Sequence, residues 1–165
     1  VIFDLTVAIE VGLLIACVLF MKRVMETTDI SVIKNEIDPN NESDLEVHEE
    51  HLMVPEGVEV YEINGPYFFG IATKFEEIMS ELGDRPKVRI IRMRKVPFID
   101  STGIHNLTNL CEMSKKENIH IVLSGVNEKV HKVLEKAGFY DLLGEDNICP
   151  NINVALEKAK AIVEK

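Results

Sequence analysis

The sequence predicts an α/β domain in which a mixed sheet of four to five strands is covered by about four helices, behind an N-terminal apolar helix. From residue 52 onward, short apolar runs typical of strands alternate with stretches that carry apolar residues at helical spacing. Glycines follow two of the helical stretches, at Gly83 and Gly138, where glycine commonly ends a helix. Gly57–Ile63 alternates apolar and polar residues, which predicts a half-buried strand and an antiparallel pair at the start of the sheet.

Residues 1–23 are predicted to be the end of a transmembrane region. Val11–Met21 is apolar apart from one glycine, and its apolar residues surround a helix instead of forming one stripe. Lys22 and Arg23 follow at once, which predicts that everything downstream lies in the cytoplasm. The alternative is a core helix of a soluble domain, because the segment is barely long enough to cross a bilayer and Glu10 is costly within a span.

Residues 24–51 are predicted to be an acidic linker. Asp and Glu crowd its second half, and such a segment buries little apolar surface and repels itself. A part of it, around Ile30–Ile37, could instead pair as a strand. His48 and His51 could in principle hold a metal, but two histidines three residues apart in a polar segment are weak evidence, and no metal site is predicted.

The globular part, residues 52–165, is predicted to continue with further strands at Tyr67–Phe69, Lys87–Met93 and Ile119–Gly125. Its predicted helices begin at Thr73, at the Asp100–Thr102 motif, at Asn127 and near Asn153. The side chains at core-facing spacing are those of Phe75, Ile78, Met79, Leu82, Ile104, Leu107, Leu110, Cys111, Val130, Val133, Leu134, Ala137, Leu156, Ala159, Ile162 and Val163.

Asp100, Ser101, Thr102 and Gly103 form the candidate functional site. They fall where a strand leads into a helix, so a short polar side chain can accept hydrogen bonds from the free N–H groups of the first helical turn. The positive end of the helix dipole at this place favours a phosphate as well as a carboxylate. A hydroxyl here is therefore either a plain helix cap or a cap that can be modified.

Several function classes are disfavoured by composition. The net charge of -10 argues against nucleic-acid binding, and three widely spaced cysteines, Cys17, Cys111 and Cys149, predict small buried apolar residues and not a disulfide or zinc framework. The sequence has no glycine-rich phosphate loop and presents no Ser–His–Asp constellation. His105 could serve as a base for Ser101, although a surface-facing histidine is the commoner outcome. We expect no catalytic residue, no cofactor and no enzyme activity.

Six basic residues on or beside one predicted strand go against the overall acidity: Arg85, Lys87, Arg89, Arg92, Arg94 and Lys95. Two interpretations are open. The strand is an edge strand that charge protects from unwanted pairing. Alternatively, it is a docking face for an acidic partner or for the acidic linker.

The segment Asp100–Gly103, after an apolar strand and before a helix, resembles the signature of STAS domains, which are named from sulfate transporters and anti-sigma-factor antagonists. Gly65–Gly70 and Arg92–Asp100 resemble the transporter branch, and Asp4–Gly12 resembles the last membrane helix of SulP-type anion transporters. The resemblance implies a STAS-like sandwich that is the cytoplasmic regulatory or interaction domain of a secondary transporter for sulfate-like anions, on the cytoplasmic side of the cell inner membrane.

The resemblance also implies residue roles and partners. Ser101, with Thr102 beside it, matches the serine that a partner kinase phosphorylates in the antagonists. Asp100 would help to shape the site, and Gly103 would let a partner approach closely. The implied partners are the transporter's own membrane domain, a second copy in a homodimer of the full-length transporter, and a cytosolic protein such as acyl carrier protein.

Two other hypotheses remain open. One is a stand-alone anti-sigma-factor antagonist that is switched by phosphorylation at Ser101, because a phosphate at a helix start adds charge to a surface that a partner must cover. The other is nucleotide binding at the carboxyl edge of the sheet near Ser101, where ligands tend to bind in α/β folds.

Overall fold

The computed structural model describes residues 2–26, 28–33, 36–37, 52–68, 78 and 85–164. In these ranges the helices are α1 (Ile2–Glu26), α2 (Ser101–Lys116), α3 (Glu128–Lys136), α4 (Phe139–Leu143) and α5 (Ile152–Val163). The strands are β1 (Asp29–Ile33), β2 (Glu36–Ile37), β3 (Leu52–Met53), β4 (Val58–Asn64), β5 (Val88–Arg92), β6 (His120–Ser124) and β7 (Ile148–Cys149). Apart from Ile78, the helix predicted from Thr73 to Gly83 lies outside the described residues, as do His48 and His51.

A five-stranded sheet with the order β1-β4-β5-β6-β7 forms the centre of the domain. Strand β1 runs antiparallel to β4, and the other neighbouring strands are parallel. Parallel neighbours need a long crossover, which α2 supplies between β5 and β6 and which α3 and α4 supply between β6 and β7. The predicted mixed α/β fold with an N-terminal apolar helix is confirmed.

The antiparallel partner of β4 lies inside the segment that was predicted to be a linker. Asp29 pairs with Asn64 and Ile33 pairs with Val60, so the sheet begins with β1, directly after α1. The described part of the predicted strand at Tyr67–Phe69 makes one isolated parallel bridge, from Tyr67 to Ile99. The turn before it directs the chain toward residues 95–100, because the Gly65 N–H donates to the carbonyl oxygen of Lys95 at 3.3 Å.

The helices cover the two faces of the sheet unequally. One face is packed by α2, α3 and α4 through side chains such as Leu107, Leu134 and Phe139, and the other is packed by α5 through Leu156 and Ala159. Not every predicted core residue is buried, since Val133 and Ala137 of the third predicted helix are exposed. Their place is taken by α4, a helix missing from the sequence prediction, which the left-handed Gly138 (φ 69°) turns back onto the core.

The basic strand β5 lies in the interior of the sheet, with β4 and β6 on either side, so its interpretation as an edge strand is wrong. Arg89 and Arg92 are only 7% and 5% exposed, and therefore neither is presented for docking. The sequence pattern could not distinguish these cases, because Arg89 and Arg92 are compensated by acidic residues of the neighbouring strand β4.

On one face of the sheet, Arg89 joins a buried polar network. Its Nε atom lies 3.8 Å from Oε2 of Glu59, and its Nη1 donates to the Ser114 hydroxyl oxygen at 3.3 Å. The Tyr61 hydroxyl donates to Glu59 Oε2 at 2.7 Å. The guanidinium therefore links β4 and β5 to α2, and burying it depends on the partners being present together.

On the other face, Glu62 is shared by two cations. Its Oε1 atom lies 3.3 Å from Nη1 of Arg92, and its Oε2 lies 3.5 Å from Nζ of Lys95. Burial lowers the pKa of the Arg92 guanidinium, and the nearby charge of Arg94 lowers it further. Lys95, in contrast, has a half-exposed side chain and marks the end of this cluster at the carboxyl edge of the sheet.

Helix α1 differs from the other helices because its described side chains are all exposed. Within it, Asp4–Arg23 is the one segment of the described chain that is long and apolar enough to cross a membrane, with a mean hydropathy of 2.2. Large apolar residues point away from the axis in every direction, and Leu14 and Phe20 are 67% and 69% exposed.

Candidate functional site

Asp100 is the N-cap of α2. Its backbone is extended, with φ −99° and ψ 178°, and its Oδ1 atom accepts a hydrogen bond from the Gly103 N–H at 2.7 Å. Its carbonyl oxygen accepts the Ile104 N–H at 2.9 Å, which is the first hydrogen bond of the helix. The cap is therefore the carboxylate, and the two hydroxyl residues occupy the first turn that follows it.

Ser101 and Thr102 are exposed in that first turn. Because α2 is 16 residues long, the positive end of its dipole lies close to both hydroxyl groups. A phosphate on either residue would be attracted by this helix end and repelled by the Asp100 carboxylate, which already occupies the Gly103 N–H. Both hydroxyl groups are therefore open to solvent, and the helix end and the Asp100 carboxylate would act on a phosphate there in opposite directions.

Gly103 is buried against the domain itself. A Cβ atom at this position would lie 2.8 Å from Cγ1 of Ile99 and closer still to the carbonyl oxygen of Tyr67. The absence of a side chain lets α2 approach the Tyr67 backbone, which is a different use from the partner approach implied by the STAS resemblance.

Long-range hydrogen bonds hold the loop that precedes α2. The Tyr67 N–H donates to the carbonyl oxygen of Phe98 at 3.0 Å, and the Asp100 N–H donates to the carbonyl oxygen of Tyr67 at 3.3 Å. The Asn127 side chain, which caps α3, donates through Nδ2 to the carbonyl oxygen of Val96. The starts of α2 and α3 are thus tied to one loop, a role of Asn127 that local spacing could not indicate.

Phe98 is an exposed aromatic residue three positions before Ser101, and no role was predicted for it. Its side chain is 51% exposed, and its ring stacks on the ring of Phe68 with centroids 6.1 Å apart and planes at 11°. The sequence feature that could have identified Phe98 is its position after Pro97, in the loop between a predicted strand and a predicted helix. The stacking partner could not be read from the sequence, because Phe68 lies 30 residues earlier.

His105 is exposed and its described contact points away from Ser101. Its Nε2 atom lies 3.2 Å from Nδ2 of Asn109, one turn further along α2. The ring is thus oriented along the helix surface, and the structure does not bring it together with Ser101 as an acid–base pair. Among the residues that the structure describes, no three His, Cys, Asp or Glu side chains converge to hold a metal.

A cleft of about 310 Å³ lies at the opposite end of α2, and its lining includes Cys111, Lys115, His120 and Leu142. None of the four candidate residues lines it. Burial raises the pKa of the Cys111 thiol to about 12, so this thiol stays protonated at neutral pH and is a poor nucleophile. The cleft therefore adds neither a catalytic group nor a nucleotide pocket to the Ser101 site.

The point where α1 enters the domain lies at the same edge as the candidate site. Thr28, the second residue after α1, is 2% exposed and its Oγ1 donates to the carbonyl oxygen of Pro66 at 3.1 Å. Pro66 directly precedes Tyr67, whose backbone bonds to Phe98 and Asp100. A short path of hydrogen bonds thus joins the end of α1 to the start of α2.

Residues 51–155 match the STAS domain family. The chain belongs to this family. Among solved structures, this STAS domain is similar to a sulfate transporter family protein from Wolinella succinogenes, with 43% identity and a TM-score of 0.66 over 69% of this chain and 93% of that one. It is also similar to the SulP transporter STAS domain from Vibrio cholerae, with 37% identity and a TM-score of 0.61 over 68% of this chain and 88% of that one.

Curated relatives of this STAS protein include Sulfate transporter 1.2 of Arabidopsis thaliana, which is 28% identical over 92% of this chain. The chain spans about a quarter of the length of the curated relatives it matches, 25% of the Arabidopsis protein and 26% of a relative from Bacillus subtilis.

Two further likenesses show the fold alone. Murine Slc26a9 in the inward-facing state is 21% identical, with a TM-score of 0.65 over 94% of this chain and 25% of that one, and an anti-sigma factor antagonist from Mycobacterium paratuberculosis is 17% identical, with a TM-score of 0.53 over 80% and 95%. The higher identities to transporter proteins make the transporter branch of the STAS resemblance the better supported one.

Proposed function

We propose that this chain is the cytoplasmic regulatory module of a SulP-type secondary transporter for sulfate-like anions, joined to the end of its last membrane helix. The observation that carries the proposal is the chain order. The apolar helical segment Asp4–Arg23 has exposed side chains and ends in two basic residues, Lys22 and Arg23. The sheet of the STAS domain follows it. The proposed units are residues 1–23 in the membrane, 24–51 as the linker and 52–165 as the STAS domain, with β1 of the linker segment built into the sheet.

The direct entry of the chain into the sheet supports a regulatory role. Strand β1 begins at Asp29, three residues after α1 ends at Glu26, and it pairs along its whole length with β4. A displacement of α1 would therefore act on the sheet through few intervening bonds. A ligand or partner that binds the domain differently in two transporter states would bias the equilibrium between those states.

The proposed partners are those that the resemblance to transporter STAS domains implies. The transporter's own membrane domain is the first, and a homodimer of the full-length protein is the second. A cytosolic protein such as acyl carrier protein is the third. The module has no catalytic role of its own, and the protein resides in the inner membrane with the STAS domain on the cytoplasmic side.

Fractionation of the full-length product tests the membrane assignment. We expect the protein in the membrane pellet, where it resists an alkaline carbonate wash. A product found wholly in the soluble fraction would contradict the assignment.

Sulfate uptake by the full-length protein tests the regulatory part. We expect Ser101→Glu to change the uptake rate at an unchanged amount of protein in the membrane, because it adds a charge at the start of α2. The matched control is Met113→Glu, an exposed position near the other end of α2. Equal uptake by both variants and the unmodified protein would show that a charge at Ser101 does not regulate transport.

A second candidate function is that of a stand-alone antagonist in a kinase-controlled pathway. The exposed position of Ser101 at the start of α2 favours it. Incubation with a cognate kinase and labelled ATP is the test, with Ser101→Ala as the comparison. Labelling that is lost in the variant would support the switch, and absence of labelling in both proteins would count against it.

A further inference from the structure

We infer, on the basis of the proposed membrane-spanning role of α1, that the domain edge beside the candidate site is a contact surface for the headgroup layer of the bilayer. This surface consists of the exposed side chains of Lys95, Pro97, Phe98, Ser101 and Thr102. The ring of Phe98 is its apolar contact, and the ammonium group of Lys95 is its contact with lipid phosphates.

The first step is the short distance between the end of the span and the domain. Arg23 ends the apolar segment, and α1 continues to Glu26 before the chain reaches Thr28. Three helical steps, and two further residues at the greatest length that any chain conformation allows, cover at most about 12 Å. The headgroup layer on each side of a bilayer is about 5–8 Å thick, so Thr28 lies in this layer or just beyond it.

The second step is the connection from Thr28 to the proposed surface. Thr28 is buried and donates to the carbonyl oxygen of Pro66, and the residues on either side of Pro66 bond to the loop before α2. Gly65 donates to the carbonyl oxygen of Lys95 at 3.3 Å, and Tyr67 donates to that of Phe98 at 3.0 Å. The loop that carries Lys95 and Phe98 is therefore fixed beside the point where α1 joins the domain.

The third step is the chemistry of the surface. Of the aromatic residues that the structure describes after α1, Phe98 is the exposed one, at 51%, whereas Tyr61, Tyr67, Phe68, Phe139 and Tyr140 are buried. An exposed phenylalanine next to a membrane span can place its apolar ring at the boundary between the headgroups and the acyl chains. Lys95, 46% exposed in its side chain, lies three residues away. Its ammonium group is 3.5 Å from Oε2 of Glu62, and because an ammonium group has three N–H donors, donors remain for a lipid phosphate.

Tryptophan fluorescence tests this contact, because the chain contains no natural tryptophan. The full chain is prepared with one substitution at a time and reconstituted into phosphatidylcholine nanodiscs that carry a nitroxide either on the headgroup or on the acyl chain. The variants are Phe98→Trp for the proposed surface and Phe20→Trp for the span. Met113→Trp is the matched control, because Met113 is 47% exposed but lies near the far end of α2.

We expect the headgroup nitroxide to quench the Phe98→Trp variant strongly and the Met113→Trp variant hardly at all. The acyl-chain nitroxide is expected to quench the Phe20→Trp variant. If the Phe20→Trp variant is quenched but the Phe98→Trp variant responds no more than the Met113→Trp variant, the contact surface is disproved and the membrane span stands. If the Phe20→Trp variant is not quenched, the proposed function itself fails.

Circular dichroism of each variant before reconstitution guards against misfolding. A Phe98→Trp variant that unfolds would be replaced by Pro97→Trp, on the same exposed stretch of loop. Stronger headgroup quenching of Pro97→Trp than of Met113→Trp would then support the contact surface, and equal quenching of the two variants would disprove it.

Discussion

Helices α1 and α2 each carry a glycine and a cysteine, but these residues have opposite surroundings. In α1, a Cβ atom on Gly12 would meet nothing within 4 Å, and Cys17 is exposed. In α2, a Cβ atom on Gly103 would collide with Tyr67 and Ile99, and Cys111 is buried. At these positions helix α2 therefore depends on close packing against the domain, whereas helix α1 does not.

The difference shows what each helix requires from its environment. Apart from Gly12, residues 11–21 of α1 have apolar side chains on every side, all exposed, so this part of α1 requires an apolar solvent more than a particular neighbour. Helix α2 buries one face, and the side chains on that face must fit Tyr67, Arg89 and the sheet closely. Substitutions at matched positions should therefore affect α2 much more than α1.

The largest loss of stability is expected at Arg89, whose buried guanidinium contacts Ser114 of α2. Replacing Arg89 by Ala would leave Glu59 buried without its cation and would remove the hydrogen bond to Ser114, at a cost of about 3–5 kcal/mol in the free energy of unfolding. Urea unfolding of the full chain in micelles measures this. Near-ultraviolet circular dichroism can follow the transition, because all three tyrosines lie in the domain.

The control for Arg89→Ala is a substitution in the exposed ion pair of Lys132 and Glu128, whose side chains are 71% and 83% exposed. Lys132→Ala is expected to cost less than about 1 kcal/mol, because solvent screens such pairs. A loss for Arg89→Ala as small as that of the control would mean that the buried network contributes little.

The second largest loss of stability is expected at Gly103, with Gly12 as the control position. Gly103→Ala is expected to cost about 1–3 kcal/mol, because the added methyl group must displace both the Tyr67 backbone and the Ile99 side chain. Gly12→Ala should leave the unfolding of the domain unchanged, since open space surrounds it. The same urea titration measures both, and equal midpoints for the two variants would refute the close packing of α2.

The third effect is a pH dependence that arises from Cys111. Burial holds its pKa near 12 in the folded state, whereas the unfolded thiol has its ordinary value near 9. Below pH 9 both states keep the proton and stability is unaffected. Above pH 9 the unfolded state releases its proton first, so the free energy of unfolding falls by about 1.4 kcal/mol per pH unit up to about pH 12.

Urea unfolding at pH 9 and pH 10 isolates this thiol when native and Cys111→Ala chains are compared. The decrease between the two pH values should be smaller in Cys111→Ala than in the native chain. Burial also raises the pKa of Cys149, so part of the decrease remains in Cys111→Ala. An unchanged pH slope in Cys111→Ala would contradict the burial of this thiol.

The smallest effect concerns the cap of α2. Asp100→Ala removes the acceptor for the Gly103 N–H and is expected to cost about 1 kcal/mol. Asp100→Asn should retain most of the stability, because asparagine caps helices about as well as aspartate does. If the Asn variant were as unstable as the Ala variant, the carboxylate charge and not the cap would be the important feature.

Local features of this protein were predictable because they depend on neighbours in sequence. The spacing around Asp100 and Asn127 indicated helix starts, and both residues cap helices in the structure. The helices that follow bury Leu107, Leu110 and Cys111, and Val130 and Leu134, as their periodicity predicted. The candidate site was predicted to the extent that it is a strand-to-helix junction.

The remaining features depend on residues far apart in the chain. A run of basic residues reads the same on an edge strand as on an interior one, and only the pairing of Glu59 and Glu62 with β5 decides that Arg89 and Arg92 are buried. The contacts of Thr28 with Pro66 and of Phe68 with Phe98 likewise join segments 38 and 30 residues apart.

By itself, the sequence determined the apolar helix, the alternation of strands and helices and the polar cap at Asp100, because hydrophobic period and capping are short-range properties of a chain. Only the tertiary structure decided that β1 enters the sheet, that the basic strand is central, and that the end of α1 and the start of α2 share one edge. These depend on which strands pair, and pairing follows from side-chain fit and charge compensation between distant segments.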